Sequence, residues 1–224
     1  MIRLDKFLSE MGLGTRSEVK KLIKTGQIAI NGTVAVKPET KVDTDADEVS
    51  VNGRIVKYQR YEYYLFNKPS GCVSATCDNV HDTVMDYITD AVHDDLFPVG
   101  RLDIDTEGLL LITNDGALSH ELLSPSKHVA KTYYARIDGE VTCDDIIRFK
   151  EGIDIGEERP TKPAELVIKK SGSVSEIELT ITEGKFHQVK RMLQAVGNEV
   201  VYLKRLSMGA LVLDETLSKG SWRA

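Results

Sequence analysis

The sequence predicts an α+β protein in two parts, a small N-terminal module and a larger domain with a mainly antiparallel sheet and flanking helices. The first observation is a pair of short segments with helical spacing of apolar residues, followed by alternating strand segments. The second is that strands and helices mix along the rest of the chain without the regular βαβ alternation of a doubly wound fold. We place the boundary between the parts at residues 59 and 60.

The N-terminal module begins with two short predicted helices. In RLDKFLSEMG the apolar residues recur at helical spacing, and Gly12 stands where a helix would end. In TRSEVKKLIKTG, Thr15 and Glu18 have the spacing of a capping box, and Gly26 closes the segment. The apolar positions of the two segments are Leu4, Phe7, Leu8, Met11, Val19, Leu22 and Ile23.

The second helix carries a basic face. Arg16, Lys20 and Lys24 fall four residues apart, and Lys21 lies beside them. Such a run is generally a solvated surface, but it also suits a helix that contacts phosphates and gains affinity by displacing their counterions. Two alternating segments with Asn-Gly turns, QIAINGTVAV and DEVSVNGRIV, complete an αα–β module.

The stretch RLDKFLSEMGLGTRSEVKKLIKTGQIAINGTVA resembles the S4 RNA-binding domain, whose fold is an αL-like αα–β arrangement. The resemblance covers residues 1–59. It implies that the basic face, Arg16, Lys20, Lys21 and Lys24, binds structured RNA. It gives the class of ligand and not a reaction.

Residues 60–224 predict the larger domain. The segments with strand character are YEYYLFNKPSG, KTYYARIDG, AELVIKK, EIELTITEG and EVVYLKRLSMG, and those with helical character are ALSHELLSP, VTCDDIIRFKEG and FHQVKRMLQAVGN.

Composition limits the class of protein. The chain has 224 residues, of which 41% are hydrophobic and 29% charged, a balance typical of globular proteins. No apolar run approaches the ~20 residues that cross a bilayer, and MIRLDKFLSEMG lacks the features of a secretory signal. Three cysteines, an odd number, argue against a disulfide framework. We therefore expect no membrane association and a reducing cytoplasm as the compartment.

Charge is distributed unevenly. The net charge of −6 alone argues against a nucleic-acid partner, but residues 1–60 contain 11 Lys and Arg against 8 Asp and Glu. Residues 61–224 contain 18 against 27. A basic front on an acidic body is the asymmetry expected of an appended nucleic-acid-binding module.

The segment GRLDIDTEGLLLITNDG, residues 100–116, concentrates acidic side chains around an apolar strand. A calcium loop is disfavoured because Asn114 stands where a bidentate Glu is required. Asp103-Ile-Asp105-Thr106 fits the D-x-D-x-T pattern of haloacid-dehalogenase-like phosphatases, but there the strand precedes the nucleophile and here it follows. In the third interpretation Asp103 lies at a cleft edge and is oriented by Arg101. A carboxylate held by a cation suits attack at a sugar carbon.

The same segment resembles motif II of the pseudouridine synthases, in the form found in the small-subunit rRNA branch (RsuA-type). NKPSG, at residues 67–71, resembles motif I, and KTYYARI, from Lys131, resembles the segment with the active-site tyrosine. EGKFHQVKRMLQAVGNEV, from Glu183, resembles motif III. With the S4 module, the resemblance spans essentially the whole chain. It implies isomerisation of uridine to pseudouridine in RNA with no cofactor and no metal.

The resemblance also assigns catalytic roles. Asp103 corresponds to the carboxylate that acts on the target uridine, and Tyr133 to the tyrosine that packs against the turned-out base; Tyr134 should face the opposite way. Lys190 stands where many members have arginine, and we expect it to pair with Asp103 as a point charge that keeps the carboxylate ionised. Arg191 is the alternative partner, with phosphate contact as its expected role.

Further residues are assigned to substrate or RNA contact or to the surrounding structure. Expected contacts are Arg101, Leu102, Lys68, His187, Gln188 and Arg191; for His187 and Gln188, hydrogen bonding at the helix start is an equal alternative. Asp105 and Glu107 are expected to cap turns or bind backbone. Cys72, Cys77 and His81 lack a fourth metal ligand and are interpreted as ordinary thiols and a surface histidine.

The sequence thus predicts a monomeric synthase acting on one uridine of small-subunit (16S) ribosomal RNA, either free or in an assembly particle. Two alternatives stay open. One is a large-subunit (23S) rRNA synthase, since S4-bearing relatives share most motifs. The other is a non-catalytic RNA-binding ribosome assembly factor, which the presence of Asp103, Tyr133 and a cation at position 190 disfavours.

Overall fold

A computed structural model describes all 224 residues. The helices are α1 (Leu4–Glu10), α2 (Arg16–Lys24), α3 (Gly116–Leu123), α4 (Cys143–Glu151) and α5 (Gln188–Ala195). The strands are β1 (Ile2–Arg3), β2 (Ile28–Ile30), β3 (Thr33–Val34), β4 (Lys41–Val42), β5 (Val49–Val51), β6 (Arg54–Val56), β7 (Tyr63–Lys68), β8 (Phe97–Pro98), β9 (Glu107–Thr113), β10 (Lys131–Asp138), β11 (Glu165–Lys170), β12 (Val174–Ile181), β13 (Glu199–Met208), β14 (Leu211–Val212) and β15 (Trp222–Arg223). None of these helices has the length and apolar character needed to cross a membrane.

The first compact unit comprises Met1–Glu62 and Thr89–Leu96. Its four-stranded sheet has the order β3-β2-β5-β6, and β1 pairs with β4. The capping box predicted at α2 is present, because the Glu18 carboxylate accepts from the Thr15 backbone N–H at 2.8 Å. Asn31 and Asn52 have positive φ at the two Asn-Gly turns, as such hairpins require. Its fully buried core side chains are Leu4, Phe7, Leu8, Val19, Ile23, Ile28, Val42 and Val49.

The second compact unit comprises Tyr63–Ile88 and Phe97–Ala224. Its nine-stranded sheet runs β11-β12-β10-β13-β9-β7-β15, with β14 on β13 and β8 on β9. Every pairing is antiparallel except β13 with β9, so the predicted α+β class with a mainly antiparallel sheet is confirmed. The first unit includes Thr89–Leu96, so this division does not follow a single cut in the chain. The domain boundary at residues 59 and 60 stays a prediction.

Strand β9 lies between β7 and β13, and all seven of its residues are buried. This position explains the continuous apolar run after Asp103, because a strand covered on both faces does not alternate in polarity. The strand ends at Thr113, and the Asp115 carboxylate then accepts from Ala117 N and Leu118 N to begin α3. The Asn-Asp-Gly turn is therefore a helix entry.

Gly108 permits the close approach of β9 to β13. Its φ is +100°, and a Cβ at this position would overlap the backbone oxygen of Arg205 and lie 2.8 Å from its backbone nitrogen. Gly108→Ala is therefore expected to lower the free energy of unfolding by about 3 kcal/mol, through overpacking and backbone strain together. Denaturant unfolding checks this value. Gly172→Ala, at a position with open space, is the control; equal losses in both variants would contradict the explanation.

Candidate active site

The backbone around Asp103 is held by groups from elsewhere in the second unit. Thr106 N donates to Asp103 O at 3.0 Å and closes the turn that leads into β9. Gly71 N donates to Ile104 O at 2.7 Å. The Ser74 hydroxyl donates to Leu102 O and accepts from Leu102 N, both at 3.0 Å. Asp103 therefore extends from a fixed main chain, and its side chain is 26% exposed.

Lys68 is the central support of this turn. Its side chain is fully buried, and its ammonium donates to Asp103 O at 3.1 Å, Thr106 O at 3.0 Å and Pro69 O at 3.1 Å. Burial lowers the pKa of the Lys68 ammonium, and the nearby acidic groups offset part of this shift. The expectation that Lys68 contacts RNA phosphate is wrong, because no part of this cation is accessible.

The Asp103 side chain faces two potential cations on the chain segment that begins α5. Lys190 Nζ lies 3.1 Å from Asp103 Oδ2, and His187 Nε2 lies 3.4 Å from Asp103 Oδ1. Arg101 is exposed and forms no ion pair with Asp103, so it does not orient the carboxylate as the sequence suggested. The residues that hold Asp103 come from a helix far along the chain.

Lys190 also binds Asp105, which corrects the role expected for that residue. Its Nζ lies 2.7 Å and 2.9 Å from the two Asp105 carboxylate oxygens, so the main partner of Asp105 is a distant cation and not a turn backbone. Burial would lower the pKa of Lys190, but its hydrogen bonds to Asp105 and Asp103 raise it above the usual value. Burial raises and Lys190 lowers the pKa of Asp105, and the net shift is downward. One ammonium therefore bridges two carboxylates.

Glu107 likewise forms an ion pair rather than a cap. Lys219 donates to it at 2.9 Å, and the Tyr202 hydroxyl donates at 2.7 Å. Burial opposes its ionisation, yet these two donors lower the pKa of Glu107 overall. Glu107 is 6% exposed, against 26% for the Asp103 side chain, so Asp103 is the more accessible carboxylate.

Tyr133 and Tyr134 face opposite sides of β10, as the alternation of a strand requires. Tyr133 is buried, at 8% exposure. It lies in register with Arg205 of β13 and Leu179 of β12. The Tyr134 hydroxyl instead donates to Glu176 at 2.8 Å. The opposite orientations of the two tyrosines are confirmed, and the assignment of Tyr133 to the role that the motif implies stays a prediction.

Three of the residues predicted to contact the substrate are buried or bound to other residues of the protein. The expectation that they contact the substrate is therefore wrong. Leu102 is buried, at 5% exposure. Gln188 is also buried; it accepts from Lys185 N at 2.9 Å and donates to Glu183 at 2.8 Å. Arg191 donates to Glu157 at 2.7 Å and to the carbonyls of Ile155 and Phe186. Gln188 has the helix-start role and Arg191 a structural one.

Sequence reasoning missed Phe186. Its ring stacks on His187 with centroids 3.8 Å apart and an interplanar angle of 19°, and 70% of the residue is exposed. An aromatic residue directly before the HQVKRM motif was the available signal. The sequence predicts this residue only as part of a helix, whereas α5 begins at Gln188.

In the first unit, the predicted basic face is displayed on α2. Arg16, Lys20, Lys21 and Lys24 are all exposed, and none forms an ion pair with a carboxylate. The buried side of the same helix is Val19 and Ile23. In the second unit, Cys72 is buried and Cys77 exposed. No group of three or more His, Cys, Asp or Glu residues has the arrangement of a metal site.

Comparison with known proteins gives consistent results over the whole chain. The family described as RNA pseudouridylate synthase matches residues 62–195, and the S4 domain matches residues 2–49. The uncharacterized RNA pseudouridine synthase YtzG of Bacillus subtilis is 49% identical over 224 residues, covering 99% of this chain and 94% of that protein. Ribosomal small subunit pseudouridine synthase A of Haemophilus influenzae is 39% identical, covering 99% and 95%. A crystal structure of a pseudouridylate synthase aligns with a TM-score of 0.69 at 38% identity, covering 100% and 95% of the two chains.

Proposed function

The chain belongs to the RNA pseudouridine synthases of the RsuA type, and we propose that it isomerises one uridine of small-subunit ribosomal RNA with Asp103 as the reacting carboxylate. The observation that carries the proposal is the Asp103 carboxylate itself. It is partly open to solvent, on a backbone pinned by Lys68, and held by an ion pair to Lys190. The small-subunit target is supported by relatives of that name that align over nearly their full length.

The reaction rearranges atoms that the nucleotide already contains. The bond between uracil N1 and ribose C1′ breaks, uracil turns in the site, and C5 forms the new bond to C1′. The hydrogen on C5 leaves as a proton and N1 gains one, so nothing is oxidised and no external group enters. This balance is why the proposal includes neither a cofactor nor a metal.

In this proposal Asp103 acts at the sugar. Its carboxylate either attacks C1′ or assists the loss of the C2′ proton, and both routes require a fixed carboxylate oxygen. Lys190 Nζ lies 3.1 Å from Asp103 Oδ2, and the other carboxylate oxygen, Oδ1, faces His187. A preorganised carboxylate removes part of the entropy of bringing the groups together. Tyr133 is proposed to pack against the turned-out uracil, with a role at C5.

RNA binding in this proposal relies on the S4 domain as well as the catalytic domain. Turning a nucleotide out of folded RNA costs a few kcal/mol, so affinity from a second contact surface is useful. The exposed cations of α2 supply that surface and take no part in the reaction. We also propose that the enzyme works as a monomer in the cytoplasm, where the proposed ribosomal RNA substrate is located.

Charge reversal on α2 tests the RNA-binding role. Lys20→Glu with Lys24→Glu should weaken RNA binding and make the negative slope of log affinity against log salt shallower by roughly 1.5, because two phosphate contacts are lost and each contributes roughly 0.7–0.9. Filter binding over a range of salt concentrations measures both quantities. Lys150→Glu with Lys170→Glu changes the net charge equally on exposed sites outside α2. If both pairs weaken binding to the same degree, α2 is not the specific contact.

Mapping pseudouridines in cells tests the choice of ribosomal subunit. In a strain without this gene, carbodiimide treatment and reverse transcription should show the loss of one stop in small-subunit rRNA. Wild-type protein should restore the stop and Asp103→Asn should not. Loss of a stop in large-subunit rRNA instead would favour the alternative substrate. Unchanged stops in both rRNAs would contradict the proposal.

A further inference from the structure

Phe186 is an exposed aromatic side chain on a rigid support. Exposure alone carries no argument, since single apolar residues are common on protein surfaces. Here, however, the Phe186 carbonyl accepts from Arg191 at 3.2 Å, and Arg191 is itself bound to Glu157 at 2.7 Å. The turn that carries Phe186 is closed by the reciprocal hydrogen bonds between Lys185 and Gln188. The ring therefore extends from a fixed main chain.

His187 connects this ring to the Asp103 carboxylate. Its φ is +49°, in the left-handed region, and its side chain makes no capping hydrogen bond to α5. Because Gln188 secures the start of the helix, the imidazole is directed elsewhere. One side of it stacks on Phe186 at 3.8 Å, and Nε2 lies 3.4 Å from Asp103 Oδ1. Phe186 is thus separated from Asp103 by a single ring.

We propose that the open face of Phe186 binds a nucleobase next to the uridine that turns towards Asp103. This inference rests on the proposed function, because it assumes that Asp103 receives the target nucleotide. A base that flanks the extruded uridine loses a stacking partner, and an aromatic face replaces it. His187 covers one face of the ring, which leaves the other for the RNA.

The chemistry of this surface favours a base over a phosphate or a sugar. The nearby cations are already engaged, because both Lys185 and Arg191 are paired with Glu157. What remains accessible is a flat, uncharged ring. Stacking on such a ring tolerates any base, so Phe186 contributes affinity and position rather than sequence preference.

Substitutions separate stacking from simple apolar contact. With a small-subunit rRNA transcript as the probe, Phe186→Ala should raise KM about 10-fold and leave kcat nearly unchanged. Phe186→Trp should keep KM near the wild-type value, whereas Phe186→Leu should behave like the alanine variant. Ile147→Ala, which removes another exposed apolar side chain on α4, is the control and should change neither constant.

An abasic nucleotide gives a readout that a purely structural role would not move. Oligonucleotides that contain the modified site are made with an abasic residue on either side of the target uridine. At one of these positions the wild type should lose about as much affinity as Phe186→Ala does, and that variant should lose nothing further. An equal loss of affinity for the abasic oligonucleotide in both proteins, or an unchanged KM in Phe186→Ala, would overturn this inference and leave the proposed function intact. Absence of modification by the wild type would overturn the proposed function and, with it, this inference.

Discussion

Asp103→Asn is expected to lower the rate of pseudouridine formation by about 10⁴-fold or more, because the reacting carboxylate is replaced by a neutral amide of the same shape. Tritium release from 5-³H-uridine RNA under single-turnover conditions measures this rate. RNA affinity should stay within about twofold of wild type, since loss of a negative charge does not weaken phosphate binding. An enzyme that binds and does not react is the expected result.

Asp105→Asn is the matched control for Asp103→Asn, because Lys190 binds both carboxylates. The Asp105 variant removes the same charge from the same ion-pair cluster but leaves the proposed reacting group in place. A loss of about 10-fold is expected from poorer positioning of Lys190. Equal losses in the two variants would show that the cluster, and not Asp103 individually, is required.

Lys68→Met is expected to have the second largest effect, on both stability and rate. It removes an ammonium that donates to the buried carbonyl of Thr106 and to the partly buried carbonyls of Asp103 and Pro69. Leaving such acceptors unpaired should lower the free energy of unfolding by about 3–5 kcal/mol. Because the carbonyl of Asp103 is among them, kcat should also fall about 10²-fold through displacement of the carboxylate.

Two measurements test the role of Lys68, with Lys131→Met as the stability control. Lys131 is also a buried lysine, but its ammonium donates to the single carbonyl of Val129. Denaturant unfolding should therefore show a smaller loss for Lys131→Met than for Lys68→Met. Tritium release is compared with wild type at a temperature where Lys68→Met is folded. A folded Lys68→Met enzyme with wild-type kcat would refute the proposed support of Asp103.

Elements with strong local signals were predictable from the sequence. The capping box of Thr15 and Glu18 and the two Asn-Gly turns depend on residues a few positions apart, and the structure contains them. The buried strand after Asp103 was also predictable, because the nearly continuous apolar run Leu109–Thr113 fits a strand covered on both faces. The opposite orientations of Tyr133 and Tyr134 follow from the same local geometry.

The errors concern polar residues whose partners are distant in sequence. Lys68 ends strand β7 directly before a Pro-Ser-Gly loop, where a lysine is ordinarily exposed, and its partners Asp103 O and Thr106 O lie in a turn more than 30 residues away. The sequence predicts a turn cap or a backbone contact for Asp105, because its partner Lys190, which also binds Asp103, lies 85 residues further along the chain. The sequence predicts phosphate contact for Arg191, because spacing does not reveal its partner Glu157, 34 residues earlier in the chain.

The most direct test of the account is tritium release from 5-³H-uridine-labelled small-subunit and large-subunit rRNA, each naked and as an assembly particle, with Asp103→Asn in parallel. Release is expected from small-subunit rRNA alone, ending when a single uridine per RNA molecule has reacted, and none is expected with the variant. Release that survives in Asp103→Asn would contradict the assignment of the carboxylate. Tight binding without release from any of these RNAs would contradict the proposed reaction on ribosomal RNA.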